Sequence, residues 1–257
     1  MFDLLYKAKK ISNFKSLIHI GGHIGEEVDF YKSLHLEKVI FVEPVKQFAD
    51  EISRKIRKLE NFEIYRFALG NENKKLKIYI ADDGIDNISS GSTSLLQPRK
   101  SEINFSKTEI IDLKKYSDLK IKTIDCAVID TQGYELEVLK GFEEKIQNFK
   151  IIVVEFSNYE GYVGQVLYKN LHAFMSNNNF ALLKQNKKTN KIIPNIHSGS
   201  YGDSLYVNIE LLTPIQRITS SFRYFLLNNI FFDTYNKYLD FTLYKTIIKR
   251  YIRKFNY

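Results

Sequence analysis

Residues 17–27 read Leu-Ile-His-Ile-Gly-Gly-His-Ile-Gly-Glu-Glu, a short apolar run followed by three glycines within five positions. The apolar run predicts a buried β-strand, and the glycines predict a sharp turn from that strand into a helix. Such a turn lets a nucleotide-type ligand approach the backbone closely. The same pattern is also typical of a tight turn that binds nothing, so this stretch indicates the local fold more strongly than the chemistry.

Strand-like and helix-like patterns alternate along the rest of the chain. Continuous apolar runs at 39–42, 127–129 and 151–154 predict strands that are buried on both faces. Between them, apolar residues recur every four positions over 48–56 and predict an amphipathic helix. This alternation is typical of an α/β fold with a doubly wound, mostly parallel sheet, in which ligands bind at the carboxyl ends of the strands.

The same patterns predict several further elements. They are helices over 24–34, 134–146 and around 167–174, strands over 63–69, 180–183 and 204–207, an extra strand or hairpin arm at 77–80, and a polar loop over 81–98.

The composition excludes several classes of protein. Cys126 is the single cysteine of 257 residues, which excludes a disulfide framework and a cysteine-based zinc cluster, and its apolar surroundings predict a buried thiol. His35, His172 and His197 do not have the spacing of metal ligands, so no metal site is predicted. The sequence shows neither a secretory leader nor an apolar segment long enough to span a bilayer, and we expect a cytoplasmic protein.

The basic charge is concentrated at the end of the chain. From Leu211 to Tyr257, eight Lys and Arg residues accompany two Asp residues, so most of the net charge of +8 lies outside residues 1–210. Nucleic acid is therefore not the expected partner of the main domain. We predict one α/β domain over 1–210 and a basic, aromatic, helical extension over 211–257. This extension is interpreted either as a helical cap or homodimer contact, or as a surface that holds the protein at the inner face of an anionic membrane.

The glycine spacing distinguishes between two nucleotide cofactors. A dinucleotide fingerprint would need glycine at the position of Ile20, whereas Gly21-x-x-x-Gly25 is the spacing that methyltransferases use for S-adenosylmethionine. Glu43 ends the second predicted strand, where a carboxylate can accept both ribose hydroxyls of an adenosine. Enzymes that use NAD share this acid, so an NAD-dependent oxidoreductase remains a competing hypothesis at this point.

A longer motif further along the chain resembles a known family. Residues 129–141 read Ile-Asp-Thr-Gln-Gly-Tyr-Glu-Leu-Glu-Val-Leu-Lys-Gly, which is similar to the signature of the FkbM family of methyltransferases. Further matches follow in order along the chain, and the resemblance covers roughly residues 15–210; they lie at 18–27, 41–44, 68–71, 89–95, 155–157 and 162–165. The resemblance implies a class I, Rossmann-like methyltransferase fold, S-adenosylmethionine as cofactor, and methyl transfer to a sugar hydroxyl of a glycan or glycolipid precursor.

The candidate site residues follow from the strand ends and from this resemblance. Asp130, Glu155 and His23 are the candidates for the base that removes the hydroxyl proton, and Asp130 has a second interpretation as a helix cap. The expected cofactor-binding residues are His19, Gly21, Gly22, His23, Gly25, Glu43, Pro44, Ala68 and Asp130. The expected substrate-binding residues are Ser92, Ser94, Gln132 and Tyr134.

His19 departs from the pattern of many methyltransferases, which carry an acid two residues before the first glycine. That acid helps to hold the methionine ammonium group, and here Glu26, Asp130 or a backbone carbonyl would have to replace it. The departure also supports an alternative hypothesis, in which the chain is a non-catalytic module that keeps the fold and binds a glycan or a partner enzyme.

Overall fold

The computed structural model describes residues 1–82, 92–99, 104–190 and 199–217. The helices in these ranges are α1 Phe2–Ser12, α2 Val28–Ser33, α3 Lys46–Ile56, α4 Glu135–Lys140 and α5 Tyr168–Asn177. The strands are β1 Ser16–Ile20, β2 Lys38–Val42, β3 Phe62–Tyr65, β4 Ala68–Leu69, β5 Lys74–Asp82, β6 Asn104–Lys114, β7 Cys126–Ile129, β8 Ile151–Ser157, β9 Phe180–Asn190 and β10 Gly199–Asn208. Short 3₁₀ turns lie at Tyr116–Asp118, Glu143–Asn148 and Ile209–Leu211.

Seven strands form one sheet in the order β3-β2-β1-β7-β8-β10-β9. The first five strands in this order, β3, β2, β1, β7 and β8, are parallel to one another. β10 is antiparallel to both of its neighbours, β8 and β9. The predicted doubly wound, mostly parallel sheet is therefore confirmed. The strand order reverses between β1 and β7, where Ile20 lies beside Val42 on one side and Ile129 on the other. A ligand site is expected at the carboxyl ends of these three strands.

Helices cover both faces of the sheet because side chains alternate along each strand. Ile18 and Ile20 of β1 belong to a core that includes the buried faces of α4 and α5. Leu17 belongs to a second core on the opposite face, packed with α1, α2 and most of α3. Cys126 lies in this second core as a free, fully buried thiol, as predicted.

The predicted third strand over 63–69 is confirmed as β3 up to Tyr65 and is wrong beyond it, because the chain leaves the main sheet after that residue. Residues 68–69 instead form β4, which pairs in parallel with Leu113 and Lys114 of β6 in a separate three-stranded sheet of order β4-β6-β5. β5 is the predicted hairpin arm, and it pairs antiparallel with β6. The sequence reasoning did not recognise β6, whose partners lie tens of residues away in the chain.

Two predicted helices are shorter in the structure. The helix over 24–34 begins only at Val28, since Gly25 has a φ of 71°, outside the helical region. The helix over 134–146 ends at Lys140 and gives way to the 3₁₀ turn, with Glu143 at a φ of 48°. Helix α1 is a further element that was not predicted.

Two further predictions concern a membrane-spanning segment and the C-terminal extension. Within the ranges that the structure describes, no helix has the length and apolar character needed to cross a bilayer. The predicted helical extension over 211–257 falls mostly outside the described residues, which end at Arg217. Its cap, homodimer and membrane interpretations therefore stay predictions.

Candidate active site

The turn after β1 is built into the ends of its two neighbouring strands. The N–H groups of Gly21 and Gly22 both donate to the carbonyl oxygen of Val42, at 3.0 and 3.2 Å. On the other side, the N–H of Asp130 donates to the carbonyl oxygen of Ile20 at 3.0 Å. Gly21 has a φ of 86°, and a β-carbon there would lie 1.8 Å from the carbonyl oxygen of Asp130. Only glycine fits this position, because a side chain would collide with the end of β7.

Glu43, at the end of β2, holds the same turn from the other side. Its Oε2 accepts the N–H of His23 and its Oε1 accepts the N–H of Val45, both at 2.9 Å. His23 has a φ of 44°, a left-handed conformation that aims its N–H at this carboxylate. Burial raises the pKa of Glu43 to about 8, against the opposing effect of these two bonds. Each oxygen keeps a further lone pair or carries the proton, so the carboxyl group can still hydrogen-bond to ribose hydroxyls while it holds the turn.

A cleft of about 800 Å³, counting the part open to solvent, lies above these strand ends. Nearly all of the predicted cofactor-binding residues line it, namely His19, Gly21, Gly22, His23, Glu43, Pro44, Ala68 and Asp130. Gly25 is the exception and is not among the residues that line this cleft; a β-carbon there would be 3.1 Å from Ile52. Phe48, Leu69 and Ile78 add apolar surface to the walls. A carboxylate, a glycine turn and apolar walls in one cleft suit the ribose, the backbone contacts and the base of an adenosine.

Asp130 and Glu155 form an acid pair at the carboxyl ends of β7 and β8. The side-chain amide of Gln132 donates to Asp130 Oδ1 at 2.8 Å and to Glu155 Oε2 at 3.0 Å. One amide nitrogen therefore contacts both carboxyl groups, which holds them close together. Burial raises the pKa of both groups, and the negative charge of Asp130 raises that of Glu155 further. Burial and the closeness of the two acids therefore favour protonation of one member of the pair, and the two groups titrate together.

A third acid, Glu135, was missed by the sequence reasoning. Its Oε1 accepts the N–H groups of Thr131 and Gly133, at 3.0 and 2.9 Å, and the hydroxyl of Thr131 at 3.2 Å. These bonds stabilise the tight turn that contains Gln132, whose φ is 52°. Burial raises the pKa of Glu135 to about 7. The cap interpretation of Asp130 is wrong, because Tyr134 occupies the N-cap position of α4.

The predicted substrate-binding serines lie beside this turn. The buried hydroxyl of Ser94 donates to the carbonyl oxygen of Gln132 at 2.7 Å. The carbonyl oxygen of Ser92 accepts a hydrogen bond from the hydroxyl of Tyr162 at 2.8 Å. Tyr162 lies in the matched stretch 162–165, but the sequence did not predict a role for it. Gln165 Oε1 accepts the N–H of Gly161 at 2.8 Å and so shapes the segment that carries Tyr162. Two distant segments of the chain, which carry Ser94 and Tyr162, thus meet at Gln132.

Tyr134 lies in the core and not among the residues that line the cleft. It is 8% exposed, and its ring packs so close to Gly70 that a β-carbon there would be 3.0 Å from Tyr134 Cε1. Its side chain packs in the same core as Val138 and Leu139, because Tyr134 is the N-cap of α4 and the apolar face of that helix packs against the sheet.

The two histidines of the glycine stretch have different surroundings. His19 is 2% exposed, its Nδ1 lies 3.0 Å from the hydroxyl of Tyr31, and burial lowers its pKa to about 4. It is therefore neutral at physiological pH. The ring of His23 packs edge-on against Phe48, with centroids 4.7 Å apart, and its Nδ1 lies 3.6 Å from Glu26 Oε2. In the described part of the chain, no group of three or more His, Cys, Asp or Glu side chains is placed to hold a metal ion.

The strand order and the cleft at its switch point define the class I, Rossmann-like fold of S-adenosylmethionine-dependent methyltransferases. The chain belongs to the FkbM methyltransferase domain family, whose model matches residues 19–182. S-adenosylmethionine is the cofactor of this class. No curated protein matches the chain in sequence.

The solved structures that match the chain have low sequence identity to it. The methyltransferase FkbM from Methylobacillus flagellatus KT has 14% identity and a TM-score of 0.45, and the match covers 76% of this chain but only 44% of that one. The magnesium protoporphyrin IX methyltransferase from Synechocystis PCC 6803 with bound SAM has 7% identity and a TM-score of 0.44, over 80% of this chain and 78% of that one. Likenesses at this level carry no conclusion about the substrate.

Proposed function

We propose that this protein transfers the methyl group of S-adenosylmethionine to a sugar hydroxyl of a glycan or glycolipid precursor. The observation that carries the proposal is the Asp130–Glu155 pair, bridged by the amide of Gln132 at 2.8 and 3.0 Å beside the cleft. A neutral sugar hydroxyl is a poor nucleophile, so its methylation needs a base with a pKa close to the working pH.

The acid pair is suited to that role. S-adenosylmethionine supplies an electrophilic methyl group on a sulfonium centre. Asp130 lines the cleft, and the amide of Gln132 holds Glu155 next to it. The hydroxyl proton passes to Asp130 as the oxygen bonds to the methyl carbon, and the carbon–sulfur bond breaks with its electron pair left on sulfur. The raised pKa of Asp130 makes its carboxylate a stronger base than an exposed aspartate.

The other residues of the site position this base. Gln132 fixes both carboxyl groups, while Glu135 and Ser94 fix the backbone around Gln132. Because this base is already held in place, little entropy is lost in ordering it when the transition state forms. This positioning increases the rate of the reaction. The hydroxyl of Tyr162 donates to the carbonyl oxygen of Ser92, whose neighbour Thr93 lines the cleft, and we propose that the acceptor binds beside these residues.

Methyl transfer from labelled S-adenosylmethionine to a panel of glycans and lipid-linked sugars tests the proposal. We expect D130N and E155Q to lower kcat by roughly 100-fold or more while the affinity for S-adenosylhomocysteine stays within a few-fold of wild type. D112N, on the exposed side of β6, is the matched control and should keep full activity. Cofactor binding without transfer to any acceptor would instead support the non-catalytic module, and transfer only to amines would contradict a sugar hydroxyl as the target.

A further inference from the structure

The residue that holds the methionine ammonium group of the cofactor can be sought among the acids around the cleft. An ammonium group held away from bulk water needs a negatively charged acceptor nearby. His19 occupies the β1 position from which methyltransferases commonly supply that acid, but burial lowers its pKa to about 4. A neutral imidazole cannot balance the charge of an ammonium group.

The other acids of the cleft have partners of their own. The carboxylate of Glu43 holds two backbone N–H groups at the opposite wall. Asp130 is paired with Glu155 through the amide of Gln132, which donates to both carboxyl groups. Glu26 is 63% exposed and lies against the imidazole of His23.

Glu27 is in a different position. Its side chain is only 14% exposed, lines the cleft, and places Oε2 3.8 Å from Nδ1 of His19. It therefore stands next to the very side chain that replaces the usual acid. Burial raises the pKa of Glu27, which indicates that the charged carboxylate has less stabilisation than it would have in water and would gain from a cation.

We infer that Glu27 is the positioning residue that binds the α-ammonium group of S-adenosylmethionine, with the carboxylate supplied by the start of α2 instead of the end of β1. His19 supports this arrangement as a neutral side chain fixed by the hydroxyl of Tyr31 at 3.0 Å. A carboxylate at residue 19 would instead add negative charge close to the Asp130–Glu155 pair, where burial already disfavours charge. The inference rests on the proposed function, since it concerns the same cofactor.

Equilibrium binding of two ligands tests the inference without any measurement of turnover. The first ligand is S-adenosylhomocysteine, and the second is its analogue in which hydrogen replaces the α-amino group. We expect wild type to bind the analogue about 10- to 100-fold more weakly, as is typical when a hydrogen bond to a charged group is lost. E27Q should bind S-adenosylhomocysteine more weakly by a similar factor and bind the analogue as wild type does.

Controls separate this inference from the proposed function. E26Q changes the neighbouring exposed acid and should bind both ligands as wild type does. Should E27Q fail to fold, as judged by its thermal melt, E27D takes its place and should lose affinity only for the ligand with the amino group. Equal affinity of wild type for the two ligands, or an equal loss in E26Q and E27Q, would overturn the role of Glu27 and leave the cofactor assignment intact. Failure of wild type to bind S-adenosylhomocysteine at all would overturn the proposed function itself.

Discussion

Gly21 lies so close to Asp130 that a β-carbon at residue 21 would be 1.8 Å from the carbonyl oxygen of residue 130. The end of β1 and the end of β7 are therefore in direct backbone contact at the point where the strand order reverses. This contact leaves the cleft open above the glycine turn and places the Asp130 carboxyl group at its edge.

Gly21→Ala tests this contact. The alanine must adopt a left-handed φ, at a cost of about 1–2 kcal/mol, and must also displace the end of β7. Gly164→Ala is the matched control, because Gly164 has a φ of 81° but no atom within 4 Å of the position of its β-carbon. We expect urea unfolding to show a clearly larger loss of stability for Gly21→Ala, together with loss of S-adenosylhomocysteine binding. Equal losses for the two variants would contradict the close packing.

The raised pKa of Glu43 predicts a fall in stability with rising pH. With a pKa of about 8, Glu43 keeps its proton in the folded protein over an interval in which the unfolded chain, where the pKa has its ordinary value of 4.5, has lost it. Stability from this group is therefore complete below the unfolded pKa and decreases through the interval, by up to about 1.4 kcal/mol per pH unit. Glu43→Gln does not titrate, so its unfolding free energy should change less between pH 5 and pH 8. Parallel pH profiles for the two proteins would show that the carboxyl group is ionised throughout.

His172 predicts the opposite dependence at acidic pH. Its Nδ1 lies 2.9 Å from the hydroxyl of Tyr206, and burial lowers its pKa from 6.5 to about 4. Its contribution is present above pH 6.5 and is lost as the pH falls toward 4, again with a slope of at most about 1.4 kcal/mol per unit. His172→Gln should flatten this limb of the stability profile, while His35→Asn, at an exposed position, should leave it unchanged. Thermal melts between pH 4 and pH 7 distinguish these outcomes.

The hydroxyl of Tyr162 predicts a link between two loops and the cofactor cleft. It donates to the carbonyl oxygen of Ser92. Two residues that follow Ser92 in the same segment, Thr93 and Leu95, line the cleft. Tyr162→Phe should lose about 1 kcal/mol of stability and bind S-adenosylhomocysteine several-fold more weakly. Tyr6→Phe is the control, since Tyr6 is 50% exposed. Calorimetry that finds the same affinity in both variants would show that this bond does not shape the cleft.

Local patterns were sufficient for the central strands and the turn between them. A stretch of 27 residues contains the apolar run that ends at Ile20, the glycines after it and Glu43. Their relation could therefore be predicted from the sequence. The motif around Asp130 was likewise recognisable from its own residues. The splitting of 63–69 was not, because the pairing of β4 with β6 depends on a strand 45 residues further along.

The site shows the same division. Ser94 and Gln132 were both expected near the acceptor, but only the fold brings the hydroxyl of one to the carbonyl of the other. Glu135 had no visible signal beyond a carboxylate four residues after Thr131, and its role depends on the turn geometry. Glu27 and Glu26 are adjacent identical residues, and only the packing around α2 buries one and exposes the other.

The sequence by itself determined the α/β class, the glycine turn and the family, because hydrophobic periodicity and short motifs act over a few residues. The tertiary structure alone decided which two acids Gln132 bridges and which acid lies beside His19. It also decided that the hydroxyl of Tyr162 donates to the carbonyl oxygen of Ser92. These relations depend on burial and on distances between segments that are far apart in the chain. Burial and through-space charge set the pKa of each carboxyl group, and neither is a property of the local sequence.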